Sequence, residues 1–294
     1  MSVMKRDFIG KTVFLVAFVA ILVVSVYGFS GKMMQERHDA QNKTSETTSD
    51  KQTDNNDLKT TGKTTEKTTE PEEKDEWKLP KATDKLVCFT FDDGPYAPVT
   101  NKILDTLEKY NGRATFFVVG DRADTYSEEI IRASKMGCEI GTHTYSHVNL
   151  NSLSVPEMQE EIKKSCDVIS KYTGKKVKVL RPPEGAANDT VKANVGMPMA
   201  LWSVDSRDWD YRNADKDYQT VMDNVFDGSI VLMHDLYPAT ADAIARIIPE
   251  LAKQGYKFVT FSELMKIRGV DVEPGEKYFS ATPQTPAEEC DNAG

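Results

Sequence analysis

Leu86-Val87-Cys88-Phe89-Thr90-Phe91-Asp92-Asp93-Gly94-Pro95 is the stretch that sets the architecture of this chain. Residues 86–91 carry no charge and are rich in aromatic and branched side chains, and they stop at two adjacent carboxylates and a Gly-Pro turn. An apolar run of that length closed by turn residues reads as a strand leading into a turn. Taken alone, Asp-Asp-Gly-Pro reads first as a solvated turn. Its second reading is chemical. If one carboxylate binds a metal, that positive charge keeps its neighbour ionised and available as a base.

Outward from this run the pattern repeats. Strand-like segments at 86–91, 114–119, 138–141, 177–180, 199–204, 229–233 and 257–260 alternate with helix-period segments at 100–110, 127–136, 156–172, 188–194, 214–225, 241–254 and 262–268. Seven strand-then-helix units predict an α/β fold around a parallel sheet. The third helix is the best marked: Ser154 stands where an N-cap belongs, and Met158, Ile162, Cys166 and Ile169 form one apolar stripe. In a barrel of such units the strand ends open onto one face, so chemically active side chains are expected just after strands.

Five polar clusters meet that expectation. Asp92 and Asp93 follow the first strand; Gly141-Thr142-His143-Thr144-Tyr145-Ser146-His147 follows the third. Imidazoles four residues apart can lie on one side of a helical turn and aim at one ion, and with Asp93 they make a two-imidazole, one-carboxylate set suited to zinc, with other divalent transition metals as alternatives. Arg181-Pro182-Pro183-Glu184-Gly185 follows the fourth strand. Arg181 can hold a carboxylate such as Asp92, and the stiff Pro-Pro turn can point N–H groups at a developing oxyanion; the same stretch also reads as a rigid connection. Asp205-Ser206-Arg207-Asp208-Trp209 and Leu232-Met233-His234-Asp235 follow the fifth and sixth. An imidazole beside a carboxylate has a raised pKa and can act as an acid, and Trp209 is either a stacking surface for a sugar or a core residue. Three of the four histidines, all but His38, fall in these clusters.

The flanks have a different composition. Residues 12–29 are uncharged and mostly aliphatic or aromatic, long enough to cross a bilayer, with Lys5, Arg6 and Lys11 ahead of them. This predicts a signal anchor at 12–29 with 1–11 in the cytoplasm and the rest outside; the rival reading, a cleaved signal peptide, lacks a small-x-small site. Residues 30–84 are expected to be a disordered linker, since 38–76 hold ten Thr and only Ala40 and Leu58 as aliphatic side chains. Residues 85–270 are the expected folded domain and 271–294 an acidic disordered tail. Cys88, Cys138, Cys166 and Cys290 have no zinc-cluster spacing, and a Cys138–Cys166 disulfide is left open. With 37 Lys plus Arg against 46 Asp plus Glu, the net charge of −9 argues against nucleic acid as a partner, and no protein partner is indicated.

Together these clusters resemble the polysaccharide deacetylases, also called the NodB-homology domain or carbohydrate esterase family 4. T-F-D-D-G-P is met at 90–95, H-[ST]-x-x-H at 143–147, D-x-x-D-W at 205–209 and L-x-H at 232–234. The resemblance covers residues 85–268 and implies a distorted (β/α) barrel with fewer than eight units. It implies that Asp93, His143 and His147 bind a divalent metal, zinc with cobalt or nickel as alternatives. It further implies Asp92 as catalytic base, Arg181 orienting it, His234 as general acid tuned by Asp208, and Trp209 and Leu232 shaping a groove for an acetamido group. The implied reaction is removal of N-acetyl groups from amino sugars. With the anchor and linker, the expectation is an enzyme on a bacterial membrane facing the wall, with acetylated cell-wall glycan as its partner, foremost the N-acetylglucosamine or N-acetylmuramic acid of peptidoglycan. The family's R-P-P-Y-G reads R-P-P-E-G here: Glu184 replaces the Tyr, beside Gly185, which leaves the backbone N–H in place and alters the charge near the substrate. Two other readings fit the same residues, a surface glycan-binding protein that has lost turnover and a hydrolase of another amide; chitin oligosaccharide or exopolysaccharide are alternative glycans.

Overall fold

The structure is a computed structural model that describes residues 77–283. The expected membrane-spanning segment at 12–29, most of the linker and the end of the tail, with Cys290, lie outside the described residues. Among the described residues no helix is long and apolar enough to cross a membrane.

The first strand, β1 (Lys85–Asp92), is buried at every position after Lys85 and forms the axis of a six-stranded parallel sheet. One edge of β1 pairs along its length with β6 (Ser229–His234), Val87 opposite Ser229 and Asp92 opposite His234. The other edge is shared. β7 (Tyr256–Phe258) takes Lys85 to Val87, and β2 (Thr115–Val118) takes Thr90 to Asp92. β3 (Glu139–Thr142) extends the sheet beyond β2, with Thr142 opposite Val118, and β5 (Val204–Asp205) extends it beyond β6, with Asp205 opposite Leu232. A strand's side chains alternate in direction. Val87, Phe89 and Phe91 therefore face outward into one core with Ile103, Leu104 and Leu107 of α1 (Ala97–Lys109) and Ile244, Ile247, Ile248 and Leu251 of α7 (Pro238–Lys253). Leu86 and Cys88 face the opposite way, into a core with Phe117, Val179, Ile230 and Phe261. Thr90 and Asp92 share that inner side, and this alternation delivers a carboxylate to the mouth of the sheet. Truncating such a fully buried Leu or Phe costs about 2–5 kcal/mol.

The remaining helices are α2 (Ser127–Lys135), α3 (Val155–Thr173), α4 (Asp189–Asn194), α5 (Asp208–Tyr211), α6 (Ala214–Asn224) and α8 (Phe261–Ile267). As the sequence predicts, Ser154 caps α3, in a reciprocal capping box with Glu157, and the helix ends at Gly174 in the left-handed conformation.

Three expectations are corrected. The expected strands at 177–180 and 199–204 are fragmentary: Leu180 makes single bridges to Thr142 and Met199, and the second breaks into β4 (Met199–Ala200) and β5. In the second, the Ala200 and Leu201 carbonyls accept from the Arg181 guanidinium and so do not serve a ladder. The tail is ordered through residue 283. Lys277–Tyr278 forms β8 beside β4, and Ser280 bridges Ser229 at the start of β6. Backbone pairings therefore run in a closed circuit through β6, β1, β2, β3, Leu180, β4 and the segment after β8. The domain also starts before 85: the Arg113 guanidinium stacks on Trp77 at 4.0 Å, and Arg268 holds the Ala82 and Asp84 carbonyls. Cys138 and Cys166 are free thiols, so no disulfide joins them.

Candidate active site

The strand register brings the expected residues together before any side-chain contact is considered. Asp92 ends β1 directly opposite His234 at the end of β6, and His143 is the first residue past β3. Just beyond Asp92, Asp93 adopts a left-handed backbone (φ 70°) that turns its carboxylate back toward the histidines. Gly94 follows because nothing larger fits: a Cβ there would stand 2.0 Å from an Asp235 carboxylate oxygen.

His143 is buried, and its Nδ1 donates to the Arg181 carbonyl at 2.7 Å. That bond leaves the Nε2 lone pair facing Asp93 Oδ1 at 3.4 Å and Asp92 Oδ2 at 3.7 Å. His147 brings its Nε2 to 3.1 Å from the same Asp93 oxygen. The expected helical turn between the two imidazoles is absent; instead residues 143–147 form a loop with Thr144 (φ 67°) and His147 (φ 56°) left-handed. One donor atom from each of Asp93, His143 and His147 lies within 4.8 Å of the others. Asp93 Oδ1 is buried with no hydrogen-bond partner. Three electron-pair donors converging on one point, one of them orphaned, fit a divalent cation with open positions. Burial opposes charge on Asp93, but the two histidines outweigh it and hold the carboxyl well below the usual carboxylate range. Asp93 in turn raises His147.

Arg181 is fully buried and every nitrogen is engaged. Nη1 donates to Thr90 Oγ1 (2.6 Å) and Asp92 Oδ1 (2.9 Å), Nε to the Ala200 carbonyl (2.7 Å) and Nη2 to the Leu201 carbonyl (2.8 Å). Asp92 is thereby fixed through Oδ1, while Oδ2 faces the metal cluster. Across the cleft, buried Asp208 accepts from the His234 backbone N–H (2.7 Å), His234 Nδ1 (2.7 Å) and Thr240 Oγ1 (2.6 Å). Burial alone would lower the His234 pKa, but the bond to Asp208 and the negative charges of Asp208, Asp92 and Asp93 push it up to about 9. Behind Gly94, burial pushes Asp235 up to about 7. Its Oδ2 accepts from Thr100, whose oxygen accepts from the Tyr96 N–H. This chain ties the loop after β1 to the loop after β6.

These groups line one cleft of about 370 Å³. Glu184, Gly185, Trp209 and Leu232 line it, whereas Arg181 and Asp208 stand behind its wall. Trp209 is 46% exposed, which decides against the core alternative. Glu184 has a left-handed backbone (φ 61°), and its carboxylate accepts from Asn149 Nδ2 at 2.7 Å. Among the described residues nothing accepts the Glu184 N–H. Sequence reasoning missed Trp202 and the cleft-lining position of Asp205. A Cβ on Gly185 would meet the Trp202 ring at 2.9 Å, a closeness that only the folded structure shows.

Comparison with known proteins bears directly on this geometry. A polysaccharide deacetylase family model matches residues 80–200. The peptidoglycan-N-acetylmuramic acid deacetylase PdaC of Bacillus subtilis is 44% identical over 184 residues, 63% of this chain and 39% of that protein. Its solved structure superposes with a TM-score of 0.63 at 43% identity, covering 65% of this chain and 94% of the solved one. This chain belongs to the polysaccharide deacetylase family. The peptidoglycan-N-acetylglucosamine deacetylase PgdA of Listeria monocytogenes is 39% identical over 206 residues, 70% of this chain and 44% of that protein. A family 4 acetyl xylan esterase from Clostridium thermocellum, solved with a cobalt ion, matches with a TM-score of 0.64 at 37% identity, over 67% of this chain and 98% of the other. The chain spans less than half the length of PdaC and PgdA.

Proposed function

We propose that this chain is a metal-dependent N-deacetylase of amino sugars in peptidoglycan, built as a distorted (β/α) barrel and held outside the cell by the anchor at 12–29. The observation that carries the reading is the convergence of Asp93, His143 and His147 within 4.8 Å, flanked in one cleft by an Arg-held Asp92 and an Asp-held His234. Two relatives are named for peptidoglycan, which supports that polymer as substrate. Two imidazoles and one carboxylate suit zinc, and the cobalt-bound family member supports a divalent transition metal.

A cation bound by Asp93, His143 and His147 would polarise the acetamide carbonyl and acidify a water. Arg181 occupies Asp92 Oδ1 and leaves Oδ2 to take the proton of the attacking water. The unclaimed Glu184 N–H supplies a hydrogen-bond donor for the developing oxyanion, a role of the backbone that survives replacement of the family's Tyr. With Nδ1 bound to Asp208, whose hydrogen bond and charge raise the imidazole pKa, His234 offers a proton at Nε2 to the departing amine, which leaves as the free sugar amine while acetate carries the attacking oxygen. Trp202 and Trp209 supply ring faces for the sugar.

The test is acetate release by the zinc-loaded full chain on intact peptidoglycan and on chitin oligosaccharides, with Asp92→Asn as control. Release from peptidoglycan that is absent in the control is expected. Release from chitin oligosaccharides alone would reassign the substrate, and none from either with zinc bound would refute the activity.

A further inference from the structure

The two histidines of the proposed metal site are secured differently. His143 is buried, sits in register just past β3 and has its ring oriented by the Arg181 carbonyl. His147 has a side chain 42% exposed, and among the described residues none accepts from its Nδ1. Metal-binding imidazoles ordinarily gain their orientation from a bond at the other ring nitrogen. His147 has to be placed through its backbone instead, and that backbone is not in a resting conformation. Thr144 and His147 are both left-handed, which β-branched Thr in particular adopts only when its surroundings enforce it.

The Thr144 N–H donates to Thr142 Oγ1, and the two residues between Thr144 and His147 are held by one side chain. Glu161, on the second turn of α3, reaches under the loop: Oε2 accepts from the backbone N–H groups of Tyr145 (3.1 Å) and Ser146 (2.9 Å), and Oε1 from Ser146 Oγ (3.0 Å). From the other side, the Gly120 and Asp121 N–H groups donate to the Thr144 and Tyr145 carbonyls. A carboxylate that takes two successive backbone N–H groups fixes the direction of the next peptide, and the next residue is His147. Bonds from N–H to an ionised acceptor are shorter and stronger than neutral ones.

We propose that Glu161 is the positioning residue of the metal site, setting His147 through the loop backbone without touching the metal. This rests on the reading of Asp93, His143 and His147 as ligands. Its signature is a metal affinity that depends on Glu161 while the reaction at saturating metal does not, because Asp92, Arg181, His234 and Asp208 are anchored elsewhere. Residues that orient metal ligands typically contribute 10–100-fold in affinity.

The experiment is zinc titration of the full chain by calorimetry and chelator competition, for the unchanged chain, Glu161→Ala, Glu161→Gln, His147→Ala and Glu161→Ala/His147→Ala. Glu161→Ala is expected to weaken zinc 10–100-fold. Glu161→Gln, which keeps one carbonyl for the two N–H groups but gives up the charge, is expected to weaken it about 3–10-fold. Acetate release at saturating zinc should return to near the unchanged rate in both. In the His147→Ala background, removing Glu161 should change affinity no further. Affinity within twofold of the unchanged chain in either Glu161 variant, whatever its melting temperature, overturns the proposal; so does an effect that persists without His147. If Glu161→Ala does not fold, the Gln variant decides. An unchanged chain that binds no zinc would sink the ligand reading itself, which is a separate outcome.

Discussion

Removing the charge of Asp208 tests the acid side of the site. Asp208→Asn keeps the shape but offers one oxygen where the carboxylate served three donors: the His234 N–H, His234 Nδ1–H and Thr240 Oγ1. If that oxygen keeps the backbone N–H and Thr240, the amide NH₂ faces His234 Nδ1, which must then give up its proton. Burial, no longer opposed by Asp208, drives the imidazolium pKa from about 9 toward or below its ordinary 6.5. A drop of that size corresponds to about 3 kcal/mol of lost imidazolium stabilisation. At pH 8 it leaves about one His234 in thirty protonated instead of about nine in ten, so a reaction needing the acid slows about 30-fold. The alkaline limb of the rate profile moves down with it. The linkage sign is fixed: a raised folded-state pKa stabilises the fold fully below about pH 6.5 and loses that contribution as pH rises through about 9. The stability gap between chain and variant should therefore narrow between those values. A bound cation opposes the contributions of Asp92 and Asp93 in both proteins, so the compared quantity is the difference between them. The assays are acetate release against pH and an NMR titration of His234. A His234 that titrates near 9 in both proteins would refute the account of its charge.

Arg181→Lys should lower the unfolding free energy by about 3–5 kcal/mol, because one ammonium cannot serve Asp92, Thr90 and two carbonyls at once and leaves buried groups unpaired. Denaturant titration checks it, and a loss under 1 kcal/mol would show that the fork is dispensable. Asp217 is fully buried, both its oxygens lack partners, and burial with the charge of Asp208 pushes it up to about 7. A raised carboxyl destabilises the fold increasingly as pH climbs from about 4 to 7, so Asp217→Asn should raise the melting temperature at pH 8 and do little at pH 4; equal shifts at both would exclude the charge as cause. Glu184→Tyr should leave zinc content unchanged and alter rate or glycan preference, since the Glu184 carboxylate is on the cleft wall and bound to Asn149, outside the metal cluster. An identical profile on peptidoglycan and chitin oligosaccharides would make that side chain a bystander.

The fold was legible wherever a residue's neighbours in sequence decide its structure. Residues 86–91 of β1 carry no charge because the strand is covered on both faces, and α3 announces itself with Ser154 at its cap and the stripe of Met158, Ile162, Cys166 and Ile169. The clustering of Asp92, Asp93, His143 and His234 was legible for a related reason: parallel strands end on one side, so polar residues placed just after strands must meet. What was hidden depends on distant partners. Nothing local marks Lys277–Tyr278 as a strand; its partner is β4, some eighty residues earlier in the chain. The ordering of 77–84 is set by Arg113 and Arg268, residues far along the chain. The 143–147 loop shows the same limit inside the site. Four-residue spacing identifies two imidazoles that can share an ion, but a helix and this left-handed loop both satisfy it. The loop is held by Thr142, Gly120, Asp121 and Glu161, whose carboxylate takes the Tyr145 and Ser146 N–H groups. A motif therefore names the atoms that can meet one cation, while the geometry at which they meet is set by side chains the motif does not contain.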